Sequence, residues 1–195
     1  MQSCRKPVFW ISRELYDAEN IGHPDHHFFH PEEGLLEIFP IFAVENEHGY
    51  KFYQMTMRIH GEGIKGLTPQ RDPMIMVDEF ESEDNSMAQT IINVRPDNMF
   101  VSQTGKMLVS GVIEHMKQSV LALSAWNNGR LRTTPYIGYL CEVDNFVCRS
   151  QPKTGDRIET TVGIRFSLGN SIHAHAISSI DDEVFAESDL VVILK

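Results

Sequence analysis

The residue best placed to do chemistry in this 195-residue chain is a glutamate set inside an otherwise apolar run. Glu114 interrupts residues 108–126, where an idle buried carboxylate is costly. Gln118 follows one helical turn later, close enough for the two side chains to touch. A carboxylate steered by an amide can move a proton at a bound molecule. The plainer alternative is a glutamate that stabilises a helix start and a glutamine that satisfies a nearby backbone group. His60 and His115 are the candidate second titratable groups, but adjacent helical positions point about 100° apart, so His115 does not face what Glu114 faces. His60 is less constrained, and for each a histidine without a chemical role is the better reading. His23, His26, His27 and His30 form an H-x-x-H-H-x-x-H set that could hold a divalent metal. Pro24 and Pro31 argue against a helix carrying them, and no cysteine or carboxylate pattern supports a site. A polar loop or interface segment is expected there, and no metal. His173 and His175 share one face of a strand, which reads as a solvated sheet face.

The elements that must position these residues follow from periodicity. Apolar Val109, Val112, Ile113, Met116, Val120 and Leu123 fall on one helical face, and Asn127, Asn128 and Gly129 end the run. The second half of this helix is apolar nearly all round, so other structure must wrap it. Before it, residues 74–81 and 87–95 read as an antiparallel hairpin about the polar turn 82–86. After it come strand-like runs at 137–149, 157–168, 171–180 and 184–194, separated by a loop at 152–156 and tight-turn signals at 169–170 and 181–182. An antiparallel sheet wrapped around one long central helix satisfies this order, an α+β architecture. The first third is richer in His, Phe and Pro. Repeated glycines between 61 and 66, then Thr68 and Pro69, place a boundary that leaves 1–66 as an N-terminal extension and 67–195 as the main domain. The extension carries its own hairpin candidate, 35–44 and 50–59, which could add strands, cover a sheet edge or reach a partner subunit.

Composition narrows the function classes. Apolar residues make up 42% and charged residues 23%, an ordinary globular balance. A net charge of -10 repels phosphate backbones and anionic lipid surfaces, so nucleic acid is not an expected partner. No apolar stretch approaches the roughly twenty residues of a spanning helix. The first residues show neither a continuous apolar region nor a small-residue cleavage pattern, and a cytoplasmic protein is expected. Cys4, Cys141 and Cys148 form no C-x-x-C pair, so reduced thiols are expected, the last two on opposite faces of one strand.

Four motifs carry a resemblance over about two thirds of the chain. Residues 67–78, LTPQRDPMIMVD, are similar to an L-P-H-R-x-P-F-L-L-V-D segment, with Gln70 replacing its His. Residues 114–118, EHMKQ, are similar to E-A-x-A-Q, residues 152–156 to P-V-x-P-G-D, and residues 182–187 to D-G-x-V-x-A-E. In this order they resemble the β-hydroxyacyl-acyl-carrier-protein dehydratases of the hotdog superfamily. The resemblance implies a hotdog fold and dehydration of a 3-hydroxyacyl thioester on an acyl carrier protein, in synthesis of fatty-acid, polyene or polyketide type. It implies no cofactor, and at least a homodimer with the site at the subunit interface. Glu114 would protonate the departing hydroxyl, Gln118 would orient it, and Phe100 and Gly111 would lie against the substrate. The family's G-H-F-P-G segment, whose His is half of its catalytic pair, is replaced by NMFVSQTGK at 98–106, which leaves the base unidentified. A non-catalytic hotdog subunit that binds an acyl chain or pairs with an active homologue is the alternative reading, and an acyl thioesterase the third.

Overall fold

A computed structural model of the chain describes residues 36–45, 51–82, 86–128 and 137–195. The helix expected at the centre is α1, Val109–Asn127. Its last turn is closed by Asn128, whose side-chain Nδ2 donates to the Ser124 carbonyl at 2.7 Å. From Gln118 to Ala125 every residue is buried, as an all-round apolar second half requires. Among the described residues there are eight strands, of which the last six pack on the helix: β1 (Leu36–Glu45), β2 (Lys51–His60), β3 (Glu79–Ser82), β4 (Met87–Asn93), β5 (Gly138–Cys148), β6 (Arg157–Leu168), β7 (Ser171–Ile180) and β8 (Glu183–Leu194). They form one antiparallel sheet in the order β1-β2-β3-β4-β6-β7-β8-β5. No helix among the described residues is long and apolar enough to cross a membrane.

Three features of the sequence set this geometry. Alternation along β6 and β7 sends Ile158, Val162, Ile172, Ala174 and Ala176 inward against α1, and each large aliphatic side chain so buried stabilises the fold by about 1.5–3 kcal/mol. Across the centre, Thr90, Thr160 and Ser178 sit side by side in register and keep the sheet thin beneath the helix. Their hydroxyls stay bonded although buried: Thr90 pairs with Ser119 of α1, and Thr160 with Ser178, each at 2.6 Å. At the β7–β8 turn Asp181 and Asp182 take φ values of 50° and 64°, the double left-handed pair that lets two residues close a twisted hairpin.

The hairpin of the first third adds strands to the sheet: β2 pairs with β3 through Arg58 opposite Glu81 and Ile59 opposite Phe80. One sequence expectation is corrected. Residues 74–78 are not strand, and the downstream hairpin is the shorter pair β3 and β4. The Met76 N–H donates to Gln118 Oε1, and the Met74 and Met76 carbonyls meet Gln118 Nε2 and His115 Nδ1. Side chains of the helix therefore hold backbone groups that a neighbouring strand would otherwise engage.

Candidate active site

The stretch 74–78 and the first half of α1 enclose the polar group of the molecule. Glu114 lies in the second turn of the helix, and the first turn holds no acidic residue, so it does not act as a helix-start glutamate. Gln118 is fully buried and fully engaged. Its Oε1 accepts from the Met76 N–H at 2.8 Å, while its Nε2 donates to the Met74 carbonyl at 2.8 Å and to Glu114 Oε1 at 2.7 Å. A planar amide bonded at both ends cannot swing, so Gln118 fixes the position of the Glu114 carboxylate.

Lys117 completes the group, and sequence reading passed over it. Its Nζ stands 2.7 Å from the same Glu114 Oε1, with side-chain exposures of 12% for the lysine and 15% for the glutamate. The signal was present in the i, i+3 spacing of the two residues on one helix. Asn98 was also missed. It is buried, donates from Nδ2 to the Met76 sulfur at 3.2 Å, and accepts the Phe100 N–H at 2.9 Å. The segment that lacks a histidine is thus tied to the methionine that Gln118 holds.

The two histidine candidates are found in different settings. His115 is wholly enclosed, with Nδ1 against the Met76 carbonyl and Nε2 without a partner. Burial pushes it down to about 4, outweighing the backbone bond and the distant Asp78 charge, so the ring is neutral near pH 7. His60 ends β2 and lines an open cleft of about 590 Å³ with Arg58, Lys65, Asp72 and Arg95. Glu114 does not line that cleft, whose wall includes Ile75, Val77 and Asp78 from the stretch between them.

Phe100 and Gly111 touch each other. A Cβ at Gly111 would lie 2.6 Å from Phe100 Cβ and 3.0 Å from Met107 Cγ, so only glycine lets the 98–107 loop lie on the helix this closely. Leu108 N–H donating to the Phe100 carbonyl at 2.8 Å pins the same contact. On the outer sheet face, His175 Nδ1 pairs with Asp189 Oδ1, and His173 stacks on Phe166 with ring centroids 4.2 Å apart. Cys141 is exposed and Cys148 half-buried beside inward-facing Phe146, in a strand interrupted by two bulges. The His23–His30 set lies outside the described residues.

Chemically, the arrangement is a rigidly held carboxylate with an ammonium beside it on a helix that a sheet encloses. Known proteins show the same frame. One subunit of the dehydratase heterocomplex ApeI:P from Xenorhabdus doucetiae superposes with a TM-score of 0.63 at 15% identity, covering 68% of this chain and 90% of that one. Cj0977, a sigma28-regulated virulence protein from Campylobacter jejuni, gives 0.52 at 12% identity, covering 68% and 87%. These likenesses establish the fold, a hotdog. Among curated relatives, the 3-hydroxyacyl-[acyl-carrier-protein] dehydratase FabZ of Halalkalibacterium halodurans is 25% identical over 143 residues, 69% of this chain and 97% of the relative. The FabZ of Oenococcus oeni is 26% identical over 137 residues, 68% and 96%. The model of the ApeP-like family, described as ApeP dehydratase, matches residues 62–194. With that match spanning more than half of its length, the chain belongs to the ApeP-like dehydratase family.

Proposed function

We propose that this protein dehydrates 3-hydroxyacyl thioesters carried on an acyl carrier protein, with Glu114 as the carboxylate that works at the reacting carbons. The observation that carries this reading is the placement of Glu114. Its carboxylate is held by Gln118, which is itself bonded to Met74 and Met76, on the helix of a dehydratase-family fold. Orientation of this kind is what proton transfer to or from carbon demands, because a small misplacement of the transferring atom costs orders of magnitude in rate. The reaction needs no cofactor. Elimination of water requires a base next to the thioester carbonyl, an acid at the hydroxyl and a donor for the carbonyl oxygen. Soluble acyl carriers fit a cytoplasmic protein, and residues 1–66 are read as an extension ahead of the dehydratase unit.

The test is hydration of an enoyl thioester by the purified chain, followed at the conjugated enone absorbance. Activity that disappears in Glu114→Gln supports the reading, and equal activity in both removes Glu114 from it. A second reading rests on the absence of histidine from residues 98–106. A companion hotdog subunit would then supply the second titratable group across a paired sheet edge, in place of a homodimer. Turnover that appears only when such a homologue is added would favour it.

A further inference from the structure

We propose that Lys117 is the proton donor to the departing hydroxyl and that Glu114 is the base. This rests on the dehydratase reading and supplies its second titratable group from within the chain. Three observations carry it. First, Lys117 Nζ and Gln118 Nε2 each stand 2.7 Å from Glu114 Oε1, the ammonium as its ion-pair partner and the amide as its hydrogen-bond donor. Among the described residues no hydrogen bond reaches Oε2, which is left to meet a substrate. A glutamate in an ion pair is a carboxylate, which can accept a proton and has none to give. The ammonium beside it has three.

Second, the pair is enclosed, with side-chain exposures of 12% and 15%. Exposed ion pairs contribute little to stability, and enclosing one costs desolvation that Coulomb attraction only partly offsets. A lysine held here is therefore poorly explained by stability, whereas a partly desolvated charge pair is suited to proton transfer. Third, the lysine occupies a position where the E-A-x-A-Q pattern has alanine, in a chain whose 98–106 segment has no histidine.

The step balances within the pair. Glu114 Oε2 takes a proton from C2 of the 3-hydroxyacyl thioester, and the electron pair of that C–H bond forms the C2–C3 double bond. The C3–O bond breaks, and its oxygen leaves as water with a proton from Lys117 Nζ. Glu114 is then a carboxylic acid and Lys117 an amine, and one proton passes between them to restore the starting state. Because donor and acceptor adjoin, both act on the same face of the C2–C3 bond and the elimination is syn.

Two assays on the full chain separate the roles. One is dehydration of a 3-hydroxyacyl thioester, and the other is deuterium uptake at C2 of the saturated acyl thioester, which has no leaving hydroxyl and needs only the base. Lys117→Arg keeps a cation beside Glu114, but a guanidinium does not release its proton near neutral pH. With folding confirmed by circular dichroism, this variant is expected to lose dehydration by about 100-fold or more while retaining deuterium uptake. Lys117→Gln provides a second variant of smaller bulk with the same expected loss of dehydration. Glu114→Gln is expected to lose both activities. Dehydration by Lys117→Arg within a few-fold of the unsubstituted chain would overturn the proposal. So would parallel loss of exchange and dehydration, which would make Lys117 a positioning residue. Neither activity in the unsubstituted chain would instead sink the dehydratase reading itself, and this assignment with it.

Discussion

Asp189 and Glu114 are each met by a cation and an amide, and they differ in what is left over. Asp189, on the outer face of β8, receives His175 Nδ1 at 2.8 Å and an Arg165 guanidinium nitrogen at 3.0 Å on Oδ1, and Asn145 Nδ2 at 2.9 Å on Oδ2. The Asn145 bond first, then that of His175, hold its carboxyl below the usual range. Strand register supplies His175, directly opposite Asp189 on β7, and brings in Asn145 from β5, next to Asp144, which lies opposite Asp189 there. Glu114 has a comparable set, but both of its contacts fall on Oε1, and they come from its own helix. A carboxylate engaged at both oxygens by neighbouring strands ties a sheet together. One engaged at a single oxygen keeps an acceptor for chemistry.

Substitutions can break this contrast, the largest effect first. Glu114→Gln should cut enoyl-thioester hydration by about 1,000-fold with an unchanged melting temperature; an unfolded variant would place Glu114 with Asp189 as a structural group. Gln118→Ala removes the amide that satisfies Met74 and Met76 and leaves two backbone groups without partners. Urea unfolding should show a loss of about 3–4 kcal/mol, together with lost turnover.

His115 sharpens the contrast from the side of pH. Its proton affinity is lower in the fold than in the unfolded chain, so the unfolded chain binds more protons between 6.5 and about 4. Stability is therefore complete above pH 6.5 and falls as pH drops toward 4, by roughly 3 kcal/mol in all. Urea midpoints measured through that window should slope in the parent chain and lose that slope in His115→Phe. The smallest effect belongs to Asp189→Asn, which should cost under about 1 kcal/mol near neutral pH and leave hydration intact. Because its carboxyl is held below 3.8, that contribution is present above this value and lost as pH falls through it, which paired acid titrations of parent and variant would read out.

Local chemistry made much of this protein readable before any coordinates. The 3.6-residue apolar spacing that ends at Asn127 and Asn128 gave α1 to within a residue or two. Alternation and turn residues gave β6 and β7 at their observed bounds, and two apolar runs flanking the polar residues 45–49 gave the added hairpin. Glu114 and Gln118 were legible as partners because one helical turn separates them. Lys117 has the same local signature but a type so common on helix surfaces that its enclosure could not be read from spacing.

What the chain alone determined was periodicity, turns and contacts within one element, since these depend on residues a few positions apart. Tertiary structure decided the rest. The residues 74–78 look like a strand, and only the arrival of Gln118 and His115 from some forty positions away takes up their backbone groups. The same packing gives His115 its buried, neutral ring, seats Phe100 on Gly111, and leaves Glu114 with one oxygen unengaged. Burial and long-range hydrogen bonding arise when distant elements meet, and no local pattern encodes them.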